Sequence, residues 1–281
     1  EILVQPMLQK VIRSGVIFSH DPNTCSPYRV INWSESQDTT LVTSGYGGKT
    51  WISAAGNKRK CPKKIEELIK LLDELLLIFK NSPIDCEFAV TREKHVEKLW
   101  LLQVRPLILR NKPEKVTLQT ERLKVIEKQL KRTMGKHHNL LGDKTVYGVM
   151  PDWNPAEIIG IRPRPLALSL YRELITDNIW AYQRSNYGYR NLRSFPLMIN
   201  FFGLPYIDVR LSFNSFIPAQ LEETTANKLT NYYMNKLLLE PVLHDKIEFE
   251  IVFSCFTFDL KERLKILKKH GFTQAELNSI S

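Results

Sequence analysis

An α+β fold is predicted for this chain from two patterns. Runs rich in β-branched and aromatic residues, bounded by turn clusters, dominate its first third. Apolar residues at helical spacing interrupt those runs once and then take over the rest of the sequence. At 281 residues and 43% hydrophobic content, the chain has room for one large or two ordinary domains with real cores.

The elements follow in order. Residues 11–33 (VIRSGVIFSHDPNTCSPYRVINW) hold two β-rich runs around the punctuation Asp21-Pro22-Asn23 and read as strand, turn, strand. From Pro62 to Phe79, residues Ile65, Leu68, Ile69, Leu72, Leu75, Leu76 and Phe79 recur at helical spacing, with Lys and Glu between them. Pro62 suits the first helical position, and Asn81-Ser82-Pro83 stops the helix. Residues 84–90 (IDCEFAV) and 99–109 (LWLLQVRPLIL) are expected as strands flanking the charged turn 91–98. An antiparallel hairpin folded symmetrically about His95 puts Glu87 opposite Gln103 and Phe88 opposite Leu102. Alternation then gives Asp85 and Glu87 one face with Leu101, Gln103 and Arg105. That face is polar and mixed in charge, and on spacing alone a solvated surface with Arg105 paired to a carboxylate accounts for it.

A boundary is expected at Asn111 to Glu114, giving domains of residues 1–112 and 113–281. Beyond it the composition turns rich in Lys and Glu, with a thin apolar stripe of Val116, Leu118, Leu123, Ile126 and Leu130 that predicts a helix. A Pro-rich loop from Tyr147 leads into a helix from about Leu166. The remainder reads as mainly helical, ending in a helical pair around Gly271 over residues 259–280.

Forty Lys plus Arg against thirty Asp plus Glu leave a net charge of +10, which suits phosphate-bearing ligands, nucleic acid or an acidic partner, and equally a solvated basic surface. Cys25, Cys61, Cys86 and Cys255 are scattered without a C-x-x-C pair, so neither zinc nor a disulfide framework is signalled, and reduced thiols in a cytoplasmic protein are expected. No stretch approaches the roughly 18 to 20 apolar residues of a membrane span. The first ten residues lack the features of a signal peptide, and with Glu at position 1 the chain is expected to be a piece of something longer.

Several motifs fail on inspection. Gly48-Lys49-Thr50 ends like a phosphate loop, but Thr43 stands where the pattern needs glycine, so a Gly-rich turn between strands is expected. His137-His138 lacks metal-ligand spacing and reads as an exposed turn, His20 as turn chemistry, and His244-Asp245 as a salt bridge. The absence of G-x-S-x-G, H-E-x-x-H and G-x-G-x-x-G leaves hydrolase and dinucleotide readings without support.

Three stretches together resemble a family. Residues 3–24 (LVQPMLQKVIRSGVIFSHDPNT) look like the Val-Gln-x-Met and Ser-Gly-Val-x-Phe-Thr-x-Asp-Pro of the nucleotide-binding domain in phosphoenolpyruvate synthase and pyruvate phosphate dikinase. Residues 85–90 (DCEFAV) and the later LLQVRPL resemble that domain's Asp-Ile-Glu-Trp and Leu-Gln-x-Arg-Pro strands. Residues 152–171 are similar to the segment following the nucleotide domain in rifampicin phosphotransferase, best at Gly160 and Pro165-Leu166.

The resemblance implies the C-terminal half of an ATP-grasp-like domain over residues 1–112, followed by a helical connector. It implies ATP and Mg²⁺ as ligands, with Glu87 and Gln103 at the metal and triphosphate, and with Arg105 on a phosphate. Oxygen donors on a rigid support suit Mg²⁺, and a guanidinium suits a transferring phosphoryl group. Where the family has Gly-Leu-Gly-Glu this chain has WSESQDTTL (33–41), in which Glu35 is the one substitute. The family's N-terminal nucleotide half and its phosphohistidine motif have no counterpart. The isolated chain is therefore expected not to turn over, its complement being supplied in cis or by a partner chain, and the final phosphoryl acceptor is left open. Two other classes compete: a non-catalytic interaction protein of the same descent, and a nucleic-acid binder stacking bases on Trp33, Trp51 or Tyr189, disfavoured because these aromatics are not interleaved with Lys and Arg.

Overall fold

The computed structural model describes residues 7–36, 48–57, 61–94, 96–245, 247–253 and 258–281. Contacts divide the chain into two units, Glu1–Val125 and Ile126–Ser281. Helices and antiparallel sheets occur together, so the α+β class holds. Among the described residues no helix is long and apolar enough to cross a membrane.

In the first unit, β1 (Val11–Phe18), β2 (Tyr28–Ser34), β3 (Lys49–Ala54), β4 (Ile84–Glu93) and β5 (Val96–Pro106) form a five-stranded sheet in the order β3-β2-β1-β4-β5. Every pairing in it is antiparallel. Helix α1 (Lys63–Ile78) covers one face, and the helical spacing read from its sequence is the reason. Ile65, Leu68, Leu72, Leu75 and Leu76 pack against Ile17, Ile31, Ile84, Cys86, Phe88 and Val90. Leu72 is fully enclosed, and burial of such a side chain stabilises by about 2 kcal/mol. Pro62 is the N-cap rather than the first helical residue. The helix ends through Lys80 and Asn81, both in the left-handed region, and Pro83 follows.

At Gly15 the backbones of β1 and β2 approach too closely for a side chain. A Cβ there would lie 2.1 Å from the Asn32 carbonyl oxygen, so only glycine permits β1 and β2 to pair at that point.

The hairpin of β4 and β5 is longer than the sequence suggests, because the charged segment expected as a turn is itself largely strand, reversing near Lys94. Its base pairs Asp85 with Arg105 and Glu87 with Gln103. The next pair is Phe88 with Leu101, so Leu102 is left without a partner. This bulge corrects two expectations. Phe88 does not face Leu102, and Leu101 does not join Gln103 and Arg105, because it now pairs with Phe88 on the side that α1 covers. Leu99 and Val104, five residues apart, consequently both pack toward α1. The other face carries Asp85, Glu87, Ala89 and Thr91 beside Arg105, Gln103, Trp100 and Lys98.

Helix α2 (Val116–Thr133) spans the division, with most of its apolar stripe partly exposed. In the second unit follow β6 (Tyr147–Gly148), α3 (Pro155–Ile158), α4 (Pro165–Tyr171), a π-helical turn over Arg172–Thr176 and α5 (Ile179–Asn186). Then come β7 (Met198–Phe201), β8 (Leu204–Asp208), α6 (Val209–Asn214), α7 (Glu223–Leu239), a 3-10 turn over Pro241–Asp245, α8 (Glu248–Ile251), α9 (Leu260–Lys269) and α10 (Gln274–Ile280). The helical pair at the end turns on Gly271, at φ 87°. Within this mainly helical unit, the sequence reading did not anticipate that β6, β8 and β7 form a three-stranded antiparallel sheet in that order. Phe202 and Gly203, at φ 52° and 87°, close the β7–β8 hairpin as a two-residue turn with both residues left-handed.

Two cores fill this unit. One gathers Val209, Phe213, Leu229, Tyr233, Met234 and Leu237 with Leu267 and Leu277, and the other is centred on Trp180, Leu197 and Ile207. Between α5 and the loop before α3 lies a buried ion pair. Arg184 Nη1 donates to Asp152 Oδ2 at 2.9 Å and Nη2 donates to Oδ1, with side chains 11% and 5% exposed.

Candidate functional site

Glu87, Gln103 and Arg105 are brought together on the sheet face away from α1. The placement is a matter of register: β4 presents Asp85 and Glu87 on that face, and the paired base of β5 sets Arg105 and Gln103 directly opposite them. The row through Glu87 continues across the sheet as Val16, Asn32 and Thr50. Thr50 Oγ1 donates to Asn32 Oδ1 at 2.9 Å.

Arg105 is the best-defined member. Its Nε donates to both carboxylate oxygens of Asp85, each at 2.9 Å, and Nη2 lies 4.0 Å from Glu87 Oε1. The Asp85 side chain is 8% exposed whereas that of Arg105 is 54% exposed. A shielded carboxylate thus anchors the inner nitrogen and leaves the fork reaching outward. The hydrogen bond from Arg105 to Asp85 and the charge of that carboxylate raise the guanidinium's pKa still further, so it is cationic at every relevant pH. Neither Nη1 nor Nη2 makes a hydrogen bond among the described residues. Asp85 is the contributor that the sequence reading did not assign to the site. The alternation Asp85-x-Glu87 against Gln103-x-Arg105 was the signal for it.

The donor set on this face is two carboxylates and an amide, all oxygen donors, and among the described residues Glu87 has no partner closer than 4.0 Å. Among the described residues no group of three or more His, Cys, Asp and Glu is arranged to hold a metal ion. Mg²⁺, however, is commonly held by one or two carboxylates together with substrate phosphates, so Glu87 with Gln103 fits such an ion.

Other candidates separate from the trio. Glu35 is paired with Lys49 at 2.8 Å and with Lys64 of α1 at 3.5 Å, on the opposite side of the sheet. Trp33 and Trp51 pack against the core beneath α1, and Tyr189 meets Phe216 edge-on. His137 and His138 stack at 4.7 Å in a turn. His20 Nδ1 lies 3.0 Å from Ser19 Oγ just after β1. His244 makes no salt bridge with Asp245 among the described residues; its Nδ1 is enclosed near Gly148 and has no hydrogen-bond partner among the described residues. The Val4-Gln5 portion of the resemblance, Thr43 to Gly47 of the Gly-rich turn, and Cys255 lie outside the described residues.

No family model matches the chain, and no curated protein matches it.

Proposed function

We propose that the open sheet face around Glu87, Gln103 and Arg105 binds a nucleoside triphosphate, ATP, together with Mg²⁺. The observation that carries the reading is the state of Arg105: Asp85 fixes its Nε, the side chain is 54% exposed, and neither terminal nitrogen makes a hydrogen bond among the described residues, Nη2 having only the 4.0 Å approach to Glu87. A guanidinium held in that way is preorganised for a phosphate oxygen, since the entropy of positioning it is already spent. Glu87 and Gln103 stand side by side at the base of the hairpin and would hold the ion that neutralises the triphosphate.

The resemblance to phosphoenolpyruvate-synthase-like phosphotransferases extends this to a role: the chain is the nucleotide-binding portion of an enzyme that passes a phosphoryl group from ATP to a histidine on another domain. In that role Arg105 orients the phosphate end and Glu87 the metal, and neither exchanges a proton. A second reading, a non-catalytic protein that docks an acidic partner, draws on the net charge of +10.

Calorimetric titration with Mg²⁺ and a non-hydrolysable ATP analogue tests the proposal. Heat that vanishes in both Glu87→Ala and Arg105→Ala is the expected result. Absence of heat in the wild-type chain, or heat unchanged in both variants, would sink it and leave the docking reading.

A further inference from the structure

The covered side of the same unit holds a cleft of about 210 Å³ lined by Ile12, Arg13, Glu35, Lys64, Arg92 and Glu97. It is separate from the face just described. Arg13 pairs with Val90, which packs beneath α1, and Lys64 belongs to the first turn of that helix.

Arg13 is the anomaly. Its side chain is only 10% exposed, yet its Nε makes no hydrogen bond among the described residues. Its ion pair, Nη2 to Glu97 Oε2, spans 3.7 Å, too long for a hydrogen bond. Glu97 is instead committed to Arg92, which donates to its Oε1. A guanidinium buried with donors unused is costly, and among the described residues no close acceptor meets this cation. The helix end adds to this. The N-cap of α1 is Pro62, with no side-chain hydrogen bond capping the first amides, and α1 runs for 16 residues, so positive potential collects at that turn.

We propose that this cleft binds a phosphate group, either free inorganic phosphate or the terminal phosphate of a phosphomonoester, through Arg13, Arg92 and Lys64. Three cationic groups against two carboxylates leave a positive balance, and a tetrahedral dianion offers an oxygen to each donor. Arg13 gains the acceptor it lacks. Lys64 and Arg92, with side chains 70% and 53% exposed, form the mouth through which the anion enters. Glu97 and Glu35 are the internal competitors. Glu97 would give up its long contact with Arg13, and Glu35 would keep its shorter bond to Lys49 while releasing Lys64.

The test is calorimetric titration of the full chain at low ionic strength with inorganic phosphate and, separately, with glycerol phosphate. The proposal expects saturable binding that Arg92→Met weakens about tenfold, in line with losing one charged hydrogen bond. Glu97→Gln, which removes a competitor, should tighten it. Both side chains are 40% or more exposed, so neither change threatens folding. Equal affinity for the two titrants identifies a free-oxyanion site, and tighter binding of the ester identifies a phosphomonoester site. Binding that ignores Arg92→Met and Glu97→Gln, or that disappears in Arg105→Ala while surviving in Arg92→Met, would overturn the proposal, the latter by placing the phosphate on the other face. Since Arg105→Ala is expected to leave this binding intact, failure here and failure of the nucleotide reading are separately visible.

Discussion

Replacing Asp152 with alanine should destabilise the second unit by about 3–5 kcal/mol, because it strands a buried guanidinium. Arg184 loses both nitrogen-to-carboxylate bonds and, among the described residues, is left with Ser215 Oγ and the rings of Phe216 and Trp180, 3.9 and 5.7 Å from its central carbon. Each charged hydrogen bond contributes about 1.5–3 kcal/mol, and the cation–π contacts, which do not involve Asp152, are the same in both proteins and leave that loss unchanged. With side chains 5% and 11% exposed, solvent offers little screening. Asp152 also sits at φ 57°, so alanine adds about 1 kcal/mol of backbone strain, which Asp152→Gly avoids. The two substitutions separate strain from charge: glycine should recover about 1 kcal/mol of the loss and no more. Adding Arg184→Met to Asp152→Ala should restore part of the stability, because the unpaired charge is then gone. Hydrogen exchange of α6 and α7 across a urea series reads the opening energy of this unit without interference from the first. A loss below about 1 kcal/mol for Asp152→Ala, or a double variant no more stable than the single, would refute the assignment of the energy to a stranded charge.

Three other substitutions and conditions have defined outcomes. Gly15→Ala should unpair β1 from β2, since a methyl group would meet backbone at 2.1 Å; rapid exchange of Val16 and Ile31 amides would register it, and native protection would contradict it. Burial lowers the pKa of His244 below its ordinary 6.5, so the neutral ring's contribution to stability is complete above that value and is lost progressively as pH falls below it. The difference in urea midpoint between wild type and His244→Asn should therefore shrink on acidification from pH 7, and a constant difference would count against the enclosed ring. Burial, reinforced by the neighbouring Asp85 carboxylate, pushes the Cys86 thiol up to about 12. At pH 8 a thiol reagent should label Cys61 and spare Cys86 until the protein unfolds, as peptide mass mapping would show.

The sequence made some features legible because their causes are local. Helix α1 declares itself through Leu68, Leu72 and Leu75 at one helical stripe. The bulge at Leu102 does not, because Leu99-Trp100-Leu101-Leu102 is apolar throughout and carries no alternation from which to read a phase. Counting outward from a tip centred on His95 gives the pairing of Glu87 with Gln103 only because the bulge offsets a tip register that is one residue out. The β7–β8 hairpin was concealed differently. Its two-residue turn places Phe202 where Asn or Gly is usual, and its strands are four and five residues long. At the site, the partnership of Asp85 with Arg105 was within reach of the same register, whereas the unsatisfied Arg13 was not. That depends on which side chains surround it in space, and β1 reads simply as a buried strand.

The unpartnered Leu102 gives the hairpin two independent reading frames, one for its tip and one for its base. In a hairpin without such a slack point, gaining or losing one residue near the tip would be transmitted down the whole strand and turn every side chain over. Here the slip has a place to be absorbed before it reaches Gln103 and Arg105. A change of length in the outer part of the hairpin is thereby uncoupled from the alignment of the four residues at its base.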